Sequence, residues 1–208
     1  MSKQPPILQY PNPRSPIPNH PSTIIIAGNV QPSGAYILRI RLQVACDVSF
    51  GRFRRGEPVG LPAGDYAYIG SAMGKRGSST LANRLLRHAR RADTDFPQAI
   101  YAELEARFSD IGWTEPPVPS APANKTLRWH IDYLLERPES SLAQIYVVCC
   151  PDPIESAIAK ELLADPMTNI VVPGIGASDD RGSTHLLLVD ADGQWWRGLP
   201  QRMNAWSF

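Results

Sequence analysis

The sequence is short of cysteine, of long apolar runs and of net charge, and each shortage excludes a class of protein. Its three cysteines are an odd number without metal-ligand spacing, which argues against a disulfide scaffold or a zinc site and favours reduced thiols. No apolar run approaches the roughly 18 residues that a membrane-spanning helix needs. The N-terminus lacks the basic-then-apolar order of a secretory signal. The sequence therefore predicts a cytoplasmic protein without a membrane span.

The formal net charge of +1 neither favours nor excludes a polyanionic partner, but the basic residues are unevenly distributed. One group comprises Arg52, Arg54 and Arg55, and a second comprises Lys75, Arg76, Arg84, Arg87, Arg90 and Arg91. Local basic density, more than the whole-chain sum, determines how well a surface contacts phosphates. For the first group, an ordinary solvated surface is an equally good interpretation.

The chain divides into an arm and one domain. Residues 1–32 are rich in Pro, Asn and Ser without sustained periodicity, which predicts a disordered or loosely attached arm. A folded domain is expected over residues 33–208, interrupted by an insertion at 92–126. A short helix around Pro97–Phe108 is possible within the insertion, whereas the Pro-rich stretch that follows fits neither helix nor strand.

Periodicity predicts an α/β fold. Apolar residues alternate with polar ones from Tyr36 to Leu42, which is typical of a half-buried strand. Further strands are predicted at 48–53, 65–70, 142–148 and 185–189. One helix is predicted from Thr80 to about Arg91, with Leu81, Leu85 and Ala89 as its buried stripe, and a second from Asp152 to about Ala164. Asp192-Gly193 predicts a hairpin turn. The resulting order, β-β-β-α, insertion, β-α-β, predicts a small, mostly antiparallel central sheet flanked by helices.

Several short motifs resemble those of the GIY-YIG nuclease superfamily. Gly34-Ala35-Tyr36 and Tyr68-Ile69-Gly70 are spaced like its two name-giving tripeptides, and Asn83-Arg84-Leu85 looks like the segment that carries its active-site arginine. Other segments resemble an uncharacterised branch of the superfamily: 62–72, Arg87-His88, 129–134, Ser178-Asp179 and 183–186. The resemblance covers residues 34–189 and implies a GIY-YIG-like fold and an endonuclease.

The resemblance also implies a catalytic set of Tyr36, Tyr68, Arg84 and Glu155. Glu155 would hold Mg²⁺ or Mn²⁺, since hard cations prefer carboxylate oxygen, and the tyrosines would position or deprotonate the attacking water. A phenol is a poor base at pH 7 unless nearby cations lower its pKa, and Arg84 with the metal would provide that field. The competing interpretations are a capping box between Asp152 and Glu155, and ordinary sheet positions for the tyrosines.

Nucleic-acid contacts are expected from the loop and helix that follow Gly70. These contacts would come from Lys75, Arg76, Arg87, His88 and Arg91, with solvated surface positions as the alternative for Arg87 and Arg91. Four further residues of ligand type lie in the motifs: His130, Asp132, Asp179 and His185. They could bring a second metal or an acid/base pair to the site, or form a buried hydrogen-bonded network that holds the loops.

These features lead to a first hypothesis of a metal-dependent endonuclease that hydrolyses nucleic-acid phosphodiester bonds, with DNA as the expected substrate. One alternative is a non-catalytic nucleic-acid-binding module on the same scaffold. The other is a protein-interaction scaffold that docks through the arm and the insertion. Convergence of Tyr36, Tyr68, Arg84 and Glu155 in one place favours the enzyme.

Overall fold

The computed structural model describes residues 23–92, 97–114, 125–175 and 184–207. Along these residues, five strands come first, three helices follow, and strands and helices then mix towards the C-terminal end. The strands are β1 (Ile24–Ala27), β2 (Gly34–Leu42), β3 (Cys46–Val48), β4 (Val59–Leu61), β5 (Gly64–Ala72), β6 (Ser140–Cys149), β7 (Thr168–Ile170) and β8 (Leu186–Val189). The helices are α1 (Leu81–Ala89), α2 (Tyr101–Asp110), α3 (His130–Leu135), α4 (Glu155–Leu163) and α5 (Gly193–Trp206). The predicted α/β class is confirmed.

The central sheet is mixed and has six strands in the order β1-β6-β2-β5-β8-β7. The β1–β6 pair is parallel, and the remaining neighbours are antiparallel. Strand β2 lies in the middle and pairs along its whole length with β5 on one side and β6 on the other. Strands β3 and β4 form a separate two-stranded ribbon. The longest strands therefore form the centre of the sheet, and Tyr36 lies on the innermost one.

Helices cover both faces of the sheet, so alternate residues of β2 enter different cores. Tyr36, Leu38 and Ile40 pack with the α1–α3 side, whereas Ala35 and Ile37 pack with α4 and α5. Burial of apolar side chains on both faces is the main stabilising term for such a sheet. The predicted half-buried pattern holds only near the end of β2, where the alternating polar residues lie towards solvent.

Helix α1 begins and packs as predicted. Thr80 is its N-cap, and its hydroxyl accepts a hydrogen bond from the Asn83 amide at 3.4 Å. Leu81, Leu85 and Ala89 are fully buried, so the predicted apolar stripe is confirmed. The buried stripe fixes how the other side chains of the helix are oriented relative to the sheet.

Three predictions of local structure are wrong. The strand predicted at 48–53 is not formed, because β3 ends at Val48 and a short 3-10 helix occupies Phe53–Gly56. The second long helix begins at Glu155 with Ile154 at its N-cap position, so Asp152 does not cap it. Asp192-Gly193 does not form a hairpin turn. Asp192 is the N-cap of α5, where its carboxylate accepts from the Gln194 amide at 2.8 Å. An Asp before Gly suits a helix start as well as a turn.

The arm and the insertion both contain ordered structure. Residues 1–22 lie outside the described range, but Ile24–Ala27, which the sequence predicts to belong to the arm, form the edge strand β1 beside β6. The short helix expected in the insertion is confirmed as α2, and Leu104 and Phe108 are buried in the predicted phase. The Pro-rich stretch of the insertion lies outside the described residues.

Cysteine and membrane predictions can be compared with the fold directly. Cys46, Cys149 and Cys150 are all free thiols, as expected. Within the described parts of the chain, none of the helices combines the length and apolar character that crossing a bilayer requires.

Candidate functional site

The two motif tyrosines lie on one face of the sheet and point towards helix α1. The Tyr36 and Tyr68 ring centroids are 5.7 and 6.4 Å from that of His88. Tyr36 is 1% exposed and Tyr68 is 7% exposed. The site is therefore built where β2, β5 and α1 meet, with little solvent around either phenol.

A glycine makes room for the Tyr36 ring. Gly70 lies opposite Tyr36 in the β2–β5 register. A Cβ added at Gly70 would lie 2.6 Å from both the Cζ and the hydroxyl oxygen of Tyr36, closer than side chains tolerate. The Tyr-Ile-Gly motif on β5 thus contains the residue whose small size lets the Tyr36 ring cross the neighbouring strand.

Substituting Gly70 with alanine is expected to displace the Tyr36 ring and to destabilise the fold by about 1–3 kcal/mol, the usual result of overpacking. The unfolding free energy from urea titration measures the stability loss, and tyrosine fluorescence reports the ring environment. Gly198→Ala is the matched control, because a Cβ there meets nothing within 4 Å and alanine favours the α5 helix. Equal stability for wild type and Gly70→Ala would contradict the steric explanation.

A buried chain of hydrogen-bonding groups extends from Tyr36 into the core. The Tyr36 hydroxyl lies 3.0 Å from His88 Nε2, and His88 Nδ1 lies 3.3 Å from Asp132 Oδ1. Because an ionised carboxylate only accepts, Nδ1 must carry the proton and Nε2 must accept from Tyr36. Burial lowers the pKa of His88 despite the neighbouring Asp132, so the imidazole is neutral at pH 7. Its free lone pair therefore points at the Tyr36 hydroxyl.

Asp132 connects α3 to α1. It is fully buried and accepts hydrogen bonds from the Arg87 guanidinium at 3.0 Å and from the backbone amides of Arg128 and Trp129, each at 2.9 Å. Burial alone would raise the pKa of this carboxyl, but His88 and the two amides outweigh it and hold the pKa well below its usual range. Of the two interpretations left open, the buried network describes Asp132.

The tyrosines are not activated as bases by their surroundings. Burial raises the pKa of Tyr36 far above its ordinary value, although Arg84 acts in the opposite direction. Burial likewise raises the pKa of Tyr68. Arg84 acts on both pKa values in the expected direction, but desolvation of the phenolate outweighs this cation alone. The arrangement makes Tyr36 a hydrogen-bond donor to His88 at neutral pH.

Glu155 points from the start of α4 towards the ends of β5 and β8. Its carboxylate accepts a hydrogen bond from the Ser71 hydroxyl, and its Oε1 lies 2.9 Å from His185 Nδ1. Burial favours a higher pKa for Glu155, but His185, Ser71 and the charge of Arg84 outweigh it and lower the pKa. The alternative of a capping box with Asp152 is wrong, because both Glu155 oxygens are directed at these partners.

The charges of the four predicted catalytic residues act on one another. Arg84 and Glu155 both shift the pKa of Tyr36 and of Tyr68, in opposite directions. Arg84 stacks on the indole of Trp129, with its guanidinium carbon 3.8 Å from the ring centroid. The Nε of Arg84 is buried and has no hydrogen-bond partner within the described structure. Trp129 thus holds a guanidinium whose donors are not fully used.

The remaining candidates fall into separate places. His185 contacts Glu155, whereas the ring of His130 packs edge-on against Phe53 at 5.5 Å. Asp179 lies outside the described residues. Fully buried His88 faces the tyrosines and not the surface expected of a nucleic-acid contact. The Arg91 guanidinium donates to the carbonyls of Glu136, Arg137 and Ser140, which ties the end of α1 to the turn before β6.

A basic cleft of about 640 Å³ lies along the outer side of α1. It is lined by Gly77, Ser78, Asn83, Leu86, Arg87, Arg90, Lys125, Thr126 and Arg128. Arg87 belongs both to the cleft and to the Trp129 platform, where its guanidinium carbon lies 4.2 Å from the ring centroid. Lys75 and Arg76 are exposed on the loop that precedes α1. The cleft therefore adjoins the site and carries positive charge.

The side chains of the site fit a divalent cation only if a single carboxylate binds it and water and substrate supply the other ligands. Among the described residues, no group of three or more His, Cys, Asp or Glu side chains could enclose a metal ion. Glu155 is a single carboxylate, 19% exposed and oriented by Ser71 and His185. Mg²⁺ is commonly bound through one or two carboxylates, with water and substrate phosphate completing its shell. The residues fit that mode, with Glu155 as the protein ligand.

The sequence did not predict the positions of two residues of the site, His88 and Ser71. His88 is expected on the nucleic-acid surface, although its position, three residues after Leu85 and seven after Leu81, places it on the buried stripe of α1. That spacing could have predicted that His88 is buried. Ser71 had no such signal, since its partner Glu155 is 84 residues away along the chain.

Comparison with known proteins places the chain in a family. Residues 35–205 match the family described as Domain of unknown function DUF123. Searches of curated proteins and of solved structures gave no match. The matched range includes β2, β5, α1, α4 and the side chains of the site, so it covers most of the domain. The chain belongs to this family.

Proposed function

We propose that the protein is a GIY-YIG-type endonuclease that hydrolyses nucleic-acid phosphodiester bonds, with DNA as its substrate and Mg²⁺ or Mn²⁺ as its cofactor. The observation that carries the proposal is the buried Tyr36–His88–Asp132 chain, next to which lie the guanidinium of Arg84, stacked on Trp129, and the carboxylate of Glu155. Each group corresponds to one requirement of the reaction: proton transfer, charge stabilisation and metal binding.

Proton transfer is assigned to Tyr36 and His88. The Tyr36 hydroxyl donates to the neutral His88, so a proton taken from the attacking water can enter at Tyr36 while the original phenol proton moves to His88 Nε2. Asp132 stabilises the resulting imidazolium through its contact with Nδ1. This arrangement avoids a free phenolate, which the raised pKa of Tyr36 disfavours.

Charge stabilisation is assigned to Arg84 and metal binding to Glu155. A guanidinium presents parallel donors that match two phosphate oxygens, and stacking on Trp129 fixes its plane. When bound, the divalent ion would neutralise charge on the phosphate and favour ionisation of water. Glu155 would hold it, and Ser71 and His185 would orient that carboxylate. The basic cleft along α1 would carry the nucleic-acid backbone away from the site.

The proposal predicts that Arg84→Lys lowers the rate of cleavage about 100-fold, because a lysine keeps the charge but loses the two-point contact and the stacking. Purified wild type and variant would be compared in single-turnover cleavage of plasmid and branched DNA with Mg²⁺ or Mn²⁺. Arg107→Lys, at an exposed position on α2, is the control and is expected to cleave normally. Equal rates for Arg84→Lys and wild type would overturn the assignment of Arg84.

The near-complete burial of Tyr36 favours the second candidate, a non-catalytic nucleic-acid-binding module. That candidate predicts salt-sensitive DNA binding without turnover in any metal. Intact substrate after prolonged incubation of wild type with Mg²⁺ and with Mn²⁺, together with binding that weakens as salt rises, would replace the endonuclease with the binding module.

A further inference from the structure

The ribbon of β3 and β4 carries a loop at residues 51–56 that is rich in arginine, here called the arginine loop. Arg52, Arg54 and Arg55 are all exposed. None of the three forms an ion pair with another described residue. Three guanidinium groups without a neutralising carboxylate, within four positions, concentrate positive charge on one short segment.

The backbone of the arginine loop is strained at two of these arginines. Arg54 and Arg55 have φ angles of 46° and 61°, in the left-handed region that favours glycine. Holding a bulky residue there is energetically unfavourable, and such positions concentrate at functional sites. Glycine would relieve the strain at both positions but would remove both guanidinium groups. The arginine side chains are therefore the part of the loop that requires an explanation.

Two phenylalanines fix the arginine loop beside the candidate site. Phe50, just before the loop, is fully buried. Within the loop, Phe53 packs against His130, the residue that follows Trp129 in the chain. Phe53 also lies close to Gly174. The next residue, Ile175, accepts a hydrogen bond at its carbonyl from the His185 amide. The loop is thus one residue removed from Trp129, which holds Arg84, and two residues removed from His185, which contacts Glu155.

We propose that the arginine loop binds phosphates of the nucleic acid on the β3–β4 side of the site, in addition to the path that the basic cleft provides along α1. The inference rests on the proposed function in that the ligand is the same nucleic acid. Guanidinium groups held in a strained, anchored loop suit a repeated phosphate backbone, because each can contact a separate phosphate without a fixed base sequence. The loop acts in binding and takes no part in bond cleavage.

The test removes both strained arginines in Arg54→Gly/Arg55→Gly and measures binding of fluorescein-labelled branched DNA by anisotropy, with EDTA present so that cleavage cannot contribute. Binding is expected to weaken about tenfold at low salt, and the slope of log affinity against log salt to become shallower by about 0.9 for each phosphate that the variant no longer neutralises. The midpoint of thermal unfolding is expected to stay level or to rise, since the strain is relieved.

Two variants serve as controls. Arg54→Lys/Arg55→Lys keeps the charge and is expected to keep most of the salt slope. Lys160→Ala/Arg197→Ala removes two exposed cations from α4 and α5, on the other face of the sheet, and is expected to bind like wild type. A weakening that is equal in the loop variant and in this second control would show a general charge effect and would overturn the proposal.

The remaining outcomes separate the two proposals. Unchanged binding in Arg54→Gly/Arg55→Gly, with Arg128→Ala weakened, would overturn the role of the loop and leave the endonuclease standing. Weakened binding by the loop variant, with a wild type that never cleaves, would support the loop and overturn the endonuclease. A wild type that binds no DNA even at low salt, but binds vesicles of phosphatidylserine and phosphatidylcholine through these arginines, would overturn both.

Discussion

Replacing Glu155 with glutamine is expected to reduce cleavage by about a thousandfold while leaving the fold intact. Glutamine has nearly the same shape but no net charge, so it cannot hold a hard cation with comparable affinity. The fold should be retained, because the glutamine side-chain oxygen can still accept a hydrogen bond from the Ser71 hydroxyl. Single-turnover cleavage over a range of Mg²⁺ concentrations would measure the effect, and the Mg²⁺ concentration for half-maximal rate is expected to rise.

Glu161→Gln is the matched control for that experiment, since Glu161 lies on the same helix, is 47% exposed and pairs with Arg202 away from the site. It should cleave at the wild-type rate. If Glu155→Gln cleaved as fast as Glu161→Gln, with an unchanged Mg²⁺ requirement, Glu155 would not be the metal ligand, and its contacts with Ser71 and His185 would be structural.

The largest effect on stability is expected from Asp132→Asn, which should lower the free energy of unfolding by about 3–5 kcal/mol. The neutral amide would leave the largely buried guanidinium of Arg87 without the charge that compensates it, whereas the neighbouring Lys125 ammonium would keep its closer partner Glu136, at 2.6 Å. It would also weaken the hydrogen bonds from the two backbone amides that begin α3. Urea titration at pH 7 would measure the loss.

Glu161→Gln again provides a comparison, because Glu161 pairs with Arg202 at the surface, with its side chain 47% exposed. Its substitution should cost no more than about 1 kcal/mol. Comparable losses for the two variants would show that the burial of Asp132 adds nothing. Because Asp132→Asn could disrupt the fold, circular dichroism of both variants would accompany the titrations.

Asp132 also determines how stability responds to acid. Its pKa is lower in the folded protein than in the unfolded chain, so its contribution is complete above the ordinary carboxyl pKa of about 3.9. The contribution is lost as the pH falls below that value towards the folded pKa. Wild type should therefore lose stability below about pH 4, and Asp132→Asn should lose less over the same range. If the unfolding free energies of wild type and Asp132→Asn fell equally as the pH was lowered, this assignment would be contradicted.

The sequence predicted best those features that depend on neighbouring residues. The alternation in β2 and the Leu81, Leu85 and Ala89 stripe of α1 are local periodicities, and both appear in the structure. The hairpin prediction at Asp192-Gly193 was wrong because the same dipeptide suits a turn and a helix start. Only the burial of Trp196 and Leu199, which lie on α5 itself, decides between the two. Local chemistry leaves such choices open.

The features that the sequence did not predict depend on distant partners. Strand β1 is only four residues long and becomes a strand because β6, more than a hundred residues later, offers it a parallel edge. The same holds for the candidate site. The residue types were identifiable from the motifs, but the pairing of Tyr36 with His88 and of Glu155 with Ser71 required the β2–β5 register and the position of α4.

The attachment of Arg91 to the turn before β6 has a consequence for how the site tolerates change. Arg84 and His88 are separated by one turn of the same helix, so a shift or rotation of α1 moves the guanidinium and the imidazole together. Arg91 fixes the far end of that helix through three backbone carbonyls and touches neither the tyrosines nor Glu155. The alignment of the Tyr36–His88 contact thus depends on a residue outside it. Substitutions at Arg91 are expected to lower the proposed activity by displacing these side chains, although each of them is still present.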